Sequence, residues 1–148
     1  MTSQSKAIAN VHLLHGDDDF LTHEALAQLK ASLGDQEALS ANTTVLDGQR
    51  LTAAELRSVC DTLPFLGPRR LVIVEGLLTR FNPPERGRDA GRRRRGNDKA
   101  ALTAIDGILE YIPTMPESTM LVFRDGELKP GNTLLPKLSS MLMVRETK

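Results

Sequence analysis

The sequence has little cysteine, no net charge and no long apolar run. Its one cysteine, Cys60, excludes an internal disulfide, and residues 1–9 contain no signal-like apolar stretch, so a reducing, cytoplasmic setting is favoured. No apolar run approaches the roughly 18 residues that a membrane span needs. The 148 residues suit one domain with its own core.

Short apolar runs alternate with segments of helical spacing. The runs cover residues 11–14, 43–46, 71–74, 120–123 and 141–144. The helical segments begin after Asp17–Asp19 and at the capping box Thr52–Glu55, resume at 102–112, and a last one is suggested by Leu134, Leu135 and Leu138. Continuous rather than alternating hydrophobicity in the runs predicts a parallel α/β sheet with helices on both faces.

Ligands of such sheets gather at the carboxyl ends of the strands, so a nucleotide site is expected there first. The turn after the first strand has one glycine, Gly16, no lysine and the three carboxylates Asp17, Asp18 and Asp19, and no Gly-Lys pair occurs anywhere in the chain. A phosphate-binding loop needs several glycines and a lysine, which this turn lacks, and the carboxylates of the turn would repel phosphate. We therefore expect no nucleotide-binding residues, no cofactor and no ATP hydrolysis, and interpret the aspartates as helix caps.

A metal site and a catalytic cysteine are both disfavoured. His15 and His23 lie near the aspartates, but the alternating ligands and glycine of a calcium loop are missing. Cys60 has no histidine nearby in sequence and lies on an apolar stripe with Leu56, Val59 and Leu63, which predicts a small core residue. We predict no metal ligands and no catalytic residues.

Residues 82–97 lose all periodicity and are predicted to form a mobile basic loop. Between positions 85 and 99 there are seven basic and three acidic residues, including the run Arg92, Arg93, Arg94 and Arg95. Clustered guanidinium groups can bind DNA phosphates, although no aromatic residue is interleaved for base stacking. Two interpretations of this segment are kept: a solvated loop, and a loop that makes a weak contact with DNA.

An apolar connector precedes the third strand. Its large residues, Leu63, Phe65 and Leu66, are separated and followed by Pro64, Gly67 and Pro68. Exposed apolar side chains in a short connector pack either on the core or on a partner protein.

The ordered set of residues 13–21 (LLHGDDDFL), 46–48 (LDG), 63–74 (LPFLGPRRLVIV) and 121–126 (LVFRDG) resembles a known family. It is similar to the amino-terminal domain of the delta subunit of the bacterial DNA polymerase III clamp loader. The resemblance implies an AAA+-like domain that binds no ATP and is not itself an enzyme. It also implies a role in binding the beta sliding clamp and opening it for loading onto primed DNA.

In the resembled family an apolar pair before the third strand enters a pocket on the clamp. That pair falls on Pro64 and Phe65, with Leu63 and Leu66 beside it. For Leu63 two positions stay open, one in the domain core and one at the interface with the clamp. The resemblance further implies lid and collar domains, absent from this chain, that join other loader subunits. The resemblance implies neither binding to a membrane nor a small-molecule substrate. A nucleotide-binding ATPase domain and a DNA-binding adaptor are the two alternative functions.

Overall fold

The computed structural model describes residues 8–33, 36–65, 67, 69–81, 103, 105–129, 131–132, 134, 136–137 and 142–147. Its strands are β1 (Ile8–Gly16), β2 (Thr43–Asp47), β3 (Arg70–Glu75), β4 (Thr119–Asp125) and β5 (Leu142–Thr147). Its α-helices are α1 (Asp19–Ala31), α2 (Gln36–Ala41), α3 (Ala53–Cys60) and α4 (105–111). Two short 3-10 helices cover Leu78–Phe81 and Ile112–Thr114.

These strands form one parallel sheet in the order β2-β3-β4-β1-β5. The chain goes from β1 to the edge strand β2, returns through β3 and β4, and then crosses β1 to reach β5. In the register of the central strands, Val72 of β3 lies beside Leu121 of β4, which lies beside Val11 of β1. All the carboxyl ends therefore meet at one edge of the sheet.

Alternate side chains of the central strands pack on opposite faces of the sheet. Val72 and Phe123 belong to a core with buried residues of α3 and α4. Ile73 and Val122 belong to a second core, with Leu26 of α1 and Leu39 of α2. Because both faces are covered, the strands read as continuous apolar runs, and the predicted α/β sheet with helices on both faces is confirmed.

The predicted helix starts are confirmed at α1 and α3. Asp18 is the N-cap of α1, and its Oδ1 accepts a hydrogen bond from the Leu21 backbone N–H at 3.1 Å. Thr52 is the N-cap of α3, and its Oγ1 accepts from the Glu55 backbone N–H at 3.1 Å. A side-chain oxygen at the N-cap satisfies a donor that the helix leaves unpaired.

The predicted apolar stripe of α3 is wrong at its last member. The helix ends at Cys60 with Asp61 as C-cap, so Leu63 lies beyond it in the connector and is exposed. Leu56 and Cys60 are fully buried, which confirms the core assignment of the cysteine. The sequence pattern extended the helical period past the residue at which the backbone leaves the helix.

Several sequence predictions fall partly or wholly outside the described residues. These are Leu66, the loop 82–97 with its four arginines, Leu102, and most of the last predicted helix, of which 136–137 are helical. The final apolar run contributes to β5. Within the described ranges, no helix is long and apolar enough to span a membrane.

Candidate functional site

The connector between α3 and β3 exposes apolar side chains. We call the described residues 62–65 and 67 the tip. Leu63 is 70% exposed and Phe65 is 65% exposed, whereas Pro64 is half-buried. The alternative in which Leu63 or Phe65 folds back onto the core is therefore wrong for this structure. Two large apolar side chains on one short connector form the kind of surface that proteins use for binding.

A buried asparagine holds the tip backbone from below. Asn42 lies between α2 and β2 and is fully buried. Its Nδ2 donates to the Phe65 carbonyl oxygen at 2.7 Å, and its Oδ1 accepts from the Phe65 backbone N–H at 2.6 Å. The second Nδ2 hydrogen is directed to the Ala38 carbonyl oxygen at 2.9 Å. The amide thus pairs with both backbone groups of Phe65, as a neighbouring strand would.

The first residue of β3 holds the other end of the tip. Arg70 Nε donates to the Thr62 carbonyl oxygen at 2.8 Å, and Nη2 donates to the Leu63 carbonyl oxygen at 3.2 Å. The Arg70 backbone N–H itself donates to the Ser118 carbonyl oxygen at 2.9 Å. A charged donor strengthens these bonds relative to neutral ones. The tip backbone is therefore fastened to the sheet.

Gly67 allows the tip to approach α2 closely. A Cβ atom at this position would lie 3.0 Å from the Cβ of Ala38 and 3.4 Å from Nδ2 of Asn42. Few real Cβ atoms have neighbours at 3.0 Å, so a larger residue would push the tip away from the helix. With Asn42 and Arg70, the glycine gives the tip a fixed backbone beneath exposed apolar side chains.

The end of α3, from which the tip departs, is also anchored. The Thr119 hydroxyl donates to the Cys60 carbonyl oxygen at 2.6 Å, and the Tyr111 hydroxyl bonds Oδ1 of Asp61. The Arg57 guanidinium lies over the Tyr111 ring, 5.4 Å from its centroid. Burial raises the pKa of the Tyr111 hydroxyl, and the hydrogen bond to Asp61 raises it further. The base of the tip is part of the packed domain.

Burial also governs the chemistry of the cysteine. Desolvation, helped by the nearby Asp61 carboxylate, raises the pKa of the Cys60 thiol to about 12. The thiolate is the nucleophilic form of cysteine, and its population at neutral pH is negligible with such a pKa. The geometry gives Cys60 a packing role.

The carboxyl ends of β3 and β4 and the start of α1 line a cavity of about 360 Å³. Its lining residues are Asp19, Thr22, Glu75, Gly76, Arg124, Asp125 and Gly126. The one arginine of this lining is already paired, with Nη1 of Arg124 2.9 Å from Oε2 of Glu75. With a capping Asp18 at the first turn, this edge offers phosphate few free positive groups.

Asp125 is a buried carboxylate at the end of β4. Its Oδ1 accepts from the Thr79 backbone N–H at 3.0 Å, while its Oδ2 has no hydrogen-bond partner among the described residues. Burial raises the pKa of Asp125 to about 6. Among the described residues, no group of three or more histidine, cysteine, aspartate or glutamate side chains could hold a metal ion.

Comparison with known proteins identifies the family. A family model described as DNA polymerase III, delta subunit, matches residues 12–146. The chain belongs to this delta subunit family. The delta-family chain is 32% identical over 65 residues to the DNA polymerase III subunit delta of Bacillus subtilis, a match covering 44% of this chain and 19% of the relative.

Two solved structures share the delta-family fold. The Bacillus subtilis DNA clamp loader delta protein matches with a TM-score of 0.69 at 20% identity, over 95% of this chain and 39% of its own. A DNA polymerase III gamma subunit-related protein from Thermotoga maritima matches with a TM-score of 0.59 at 15% identity, over 98% of this chain and 42% of its own. These likenesses confirm the predicted α/β fold with a parallel sheet. The delta-family chain spans well under half the length of these relatives.

Sequence analysis missed two anchors of the tip, Asn42 and Arg70. An asparagine before the β-branched run 43–44 can mark the end of a helix. Helix α2 itself has six residues and one buried side chain, Leu39, so it gives little periodic signal. Nothing in the sequence links Asn42 to Phe65, which lies 23 positions further along the chain.

Proposed function

We propose that this chain is the clamp-binding part of a bacterial clamp loader delta subunit. In this proposal, Phe65 enters an apolar pocket of the beta sliding clamp, with Leu63, Pro64 and Leu66 beside it. The observation that supports it most is the pairing of a fixed tip backbone with exposed Leu63 and Phe65 side chains. Membership of the delta subunit family supports the choice of partner.

The exposed side chains of the tip suit a small contact in which a few residues supply most of the binding free energy. Burying a large apolar side chain is worth about 1.5–3 kcal/mol, against which association costs must be set. Those costs fall when the binding segment is already ordered, because less conformational entropy is lost. Four hydrogen bonds provide that order by joining Asn42 and Arg70 to residues 62, 63 and 65.

The proposed role requires no ATP hydrolysis by this chain. The first turn has caps and carboxylates in place of a phosphate-binding lysine, and Glu75 is paired with Arg124. In the proposal, binding helps to open the clamp for loading onto primed DNA in the cytoplasm. Other loader subunits would be joined through parts of the longer family chains that this sequence does not match. The DNA contact at Arg92–Arg95 in the loop 82–97 stays a prediction, because these residues lie outside the described ranges.

Surface binding tests the proposal directly. The 148-residue chain is passed over the immobilised clamp of the same bacterium, and saturable binding to the clamp is expected. A chain that folds but fails to bind the clamp contradicts the proposal. Calorimetric titration with ATP and magnesium provides the second arm, and micromolar nucleotide binding there would favour the ATPase alternative instead.

A further inference from the structure

Asn42 makes five hydrogen bonds at one junction. Besides the three side-chain bonds to Ala38 and Phe65, its backbone N–H donates to the Leu39 carbonyl oxygen at 3.0 Å. Its own carbonyl oxygen accepts from the Leu71 backbone N–H at 3.0 Å. One buried residue thus joins the end of α2, the beginning of β3 and the tip.

We propose that Asn42 is a positioning residue for partner binding at the tip. The inference rests on the proposed function, since it takes the beta sliding clamp as the partner of Phe65. Asn42 is fully buried beneath the tip and therefore cannot itself contact that partner. It acts through Phe65, by holding the backbone in the conformation that presents the ring.

The chemistry of the side chain explains why an amide is needed here. An amide offers both an acceptor and donors, so a single residue can satisfy the N–H and the C=O of Phe65 together. Aspartate would keep the acceptor but lose both donors, and it would bring a charge into a buried position. Alanine would leave both Phe65 backbone groups without these bonds, which frees the tip to sample other conformations.

Loss of positioning has a measurable consequence for affinity. When only a fraction of molecules has the binding-competent conformation, the apparent Kd rises in inverse proportion to that fraction. A tip that is competent about one tenth of the time therefore binds about tenfold more weakly. Because the contacts in the complex are unchanged, the loss should lie in the association rate, with dissociation nearly as in the unaltered chain.

The test compares Asn42→Ala, Gly67→Ala and Phe65→Ala in the 148-residue chain, using surface-binding kinetics on the clamp and amide hydrogen exchange. We expect Asn42→Ala to reduce the association rate by about tenfold and to speed exchange of the Phe65 amide, while amides of β3 stay protected. Gly67→Ala perturbs the same contact from the tip side, where its Cβ would crowd Ala38, and keeps the test available if Asn42→Ala does not fold.

The outcomes separate a failure of the positioning role from a failure of the proposed function. Unchanged affinity in a folded Asn42→Ala chain, or in Gly67→Ala where the former does not fold, overturns the positioning role. A loss confined to the dissociation rate, with the Phe65 amide still protected, also overturns it. If Phe65→Ala binds the clamp as tightly as the unaltered chain, the proposed function fails and the positioning role for clamp binding fails with it, whereas a Phe65→Ala loss without an Asn42→Ala loss rejects the positioning role alone.

Discussion

Replacing Phe65 by alanine removes the aromatic ring that the proposal inserts into the clamp. In the free chain 65% of the residue is exposed, so roughly two thirds of its burial would be gained on binding. Complete burial of a phenylalanine is worth about 1.5–3 kcal/mol, which leaves about 1–2 kcal/mol for the complex. This corresponds to a loss of about 5- to 30-fold in affinity.

The same exposure predicts almost no effect on folding. A side chain that lies mostly in solvent contributes little to the core, so the free energy of unfolding should change by less than about 0.5 kcal/mol. The assay measures clamp affinity by surface binding and stability by thermal unfolding on one preparation. The combination of weaker binding and unchanged stability is what separates a contact residue from a core residue.

Phe20 provides a matched control for this experiment. It is the same residue type, it is also 65% exposed, and it lies in the first turn of α1 rather than in the tip. Phe20→Ala should leave clamp affinity within about twofold, a difference of less than about 0.5 kcal/mol. Equal losses for both variants, or a loss of stability without a loss of affinity in Phe65→Ala, would refute the reasoning.

Two further predictions concern buried titratable groups. The folded-state pKa of Asp125, about 6, lies above its ordinary value of 3.8, so its protonation favours folding below pH 4 and this stabilisation is lost as pH rises through 6. Because asparagine does not titrate, the free energy of unfolding of Asp125→Asn should rise by about 2–3 kcal/mol relative to that of the unaltered chain between pH 4 and pH 8, as measured by chemical denaturation. A difference that stays constant across this pH range would contradict the prediction. Cys60 should resist iodoacetamide at pH 8 until denaturant is added, because burial raises its pKa to about 12; rapid labelling of the folded chain, followed by mass spectrometry, would disprove it.

The sheet could be predicted from the sequence because its signals are local. The apolar run 71–74 is short, continuous and rich in β-branched residues, which is typical of a strand covered on both faces. Thr52 and Asp18 cap their helices through bonds to residues three positions away. Patterns within a few residues of one another are sufficient for these elements.

The site was predicted less completely because its geometry depends on distant contacts. Spacing alone assigned Leu63 to the stripe of α3, but the backbone leaves the helix at Cys60 and exposes it. The tip backbone is bonded to Asn42 and Arg70, which belong to two other parts of the fold. Such contacts between separate elements have no periodicity in the sequence.

Site-specific photo-crosslinking tests the central claim, that the tip binds the clamp through Phe65. A benzophenone-bearing phenylalanine analogue replaces Phe65 in one chain and Phe20 in another, and each is irradiated with the clamp. We predict a crosslinked chain–clamp product from position 65, mapping by mass spectrometry to an apolar pocket of the clamp, and none from position 20. A product from position 20 alone, or none from position 65 under conditions where the chain binds the clamp, would contradict the account.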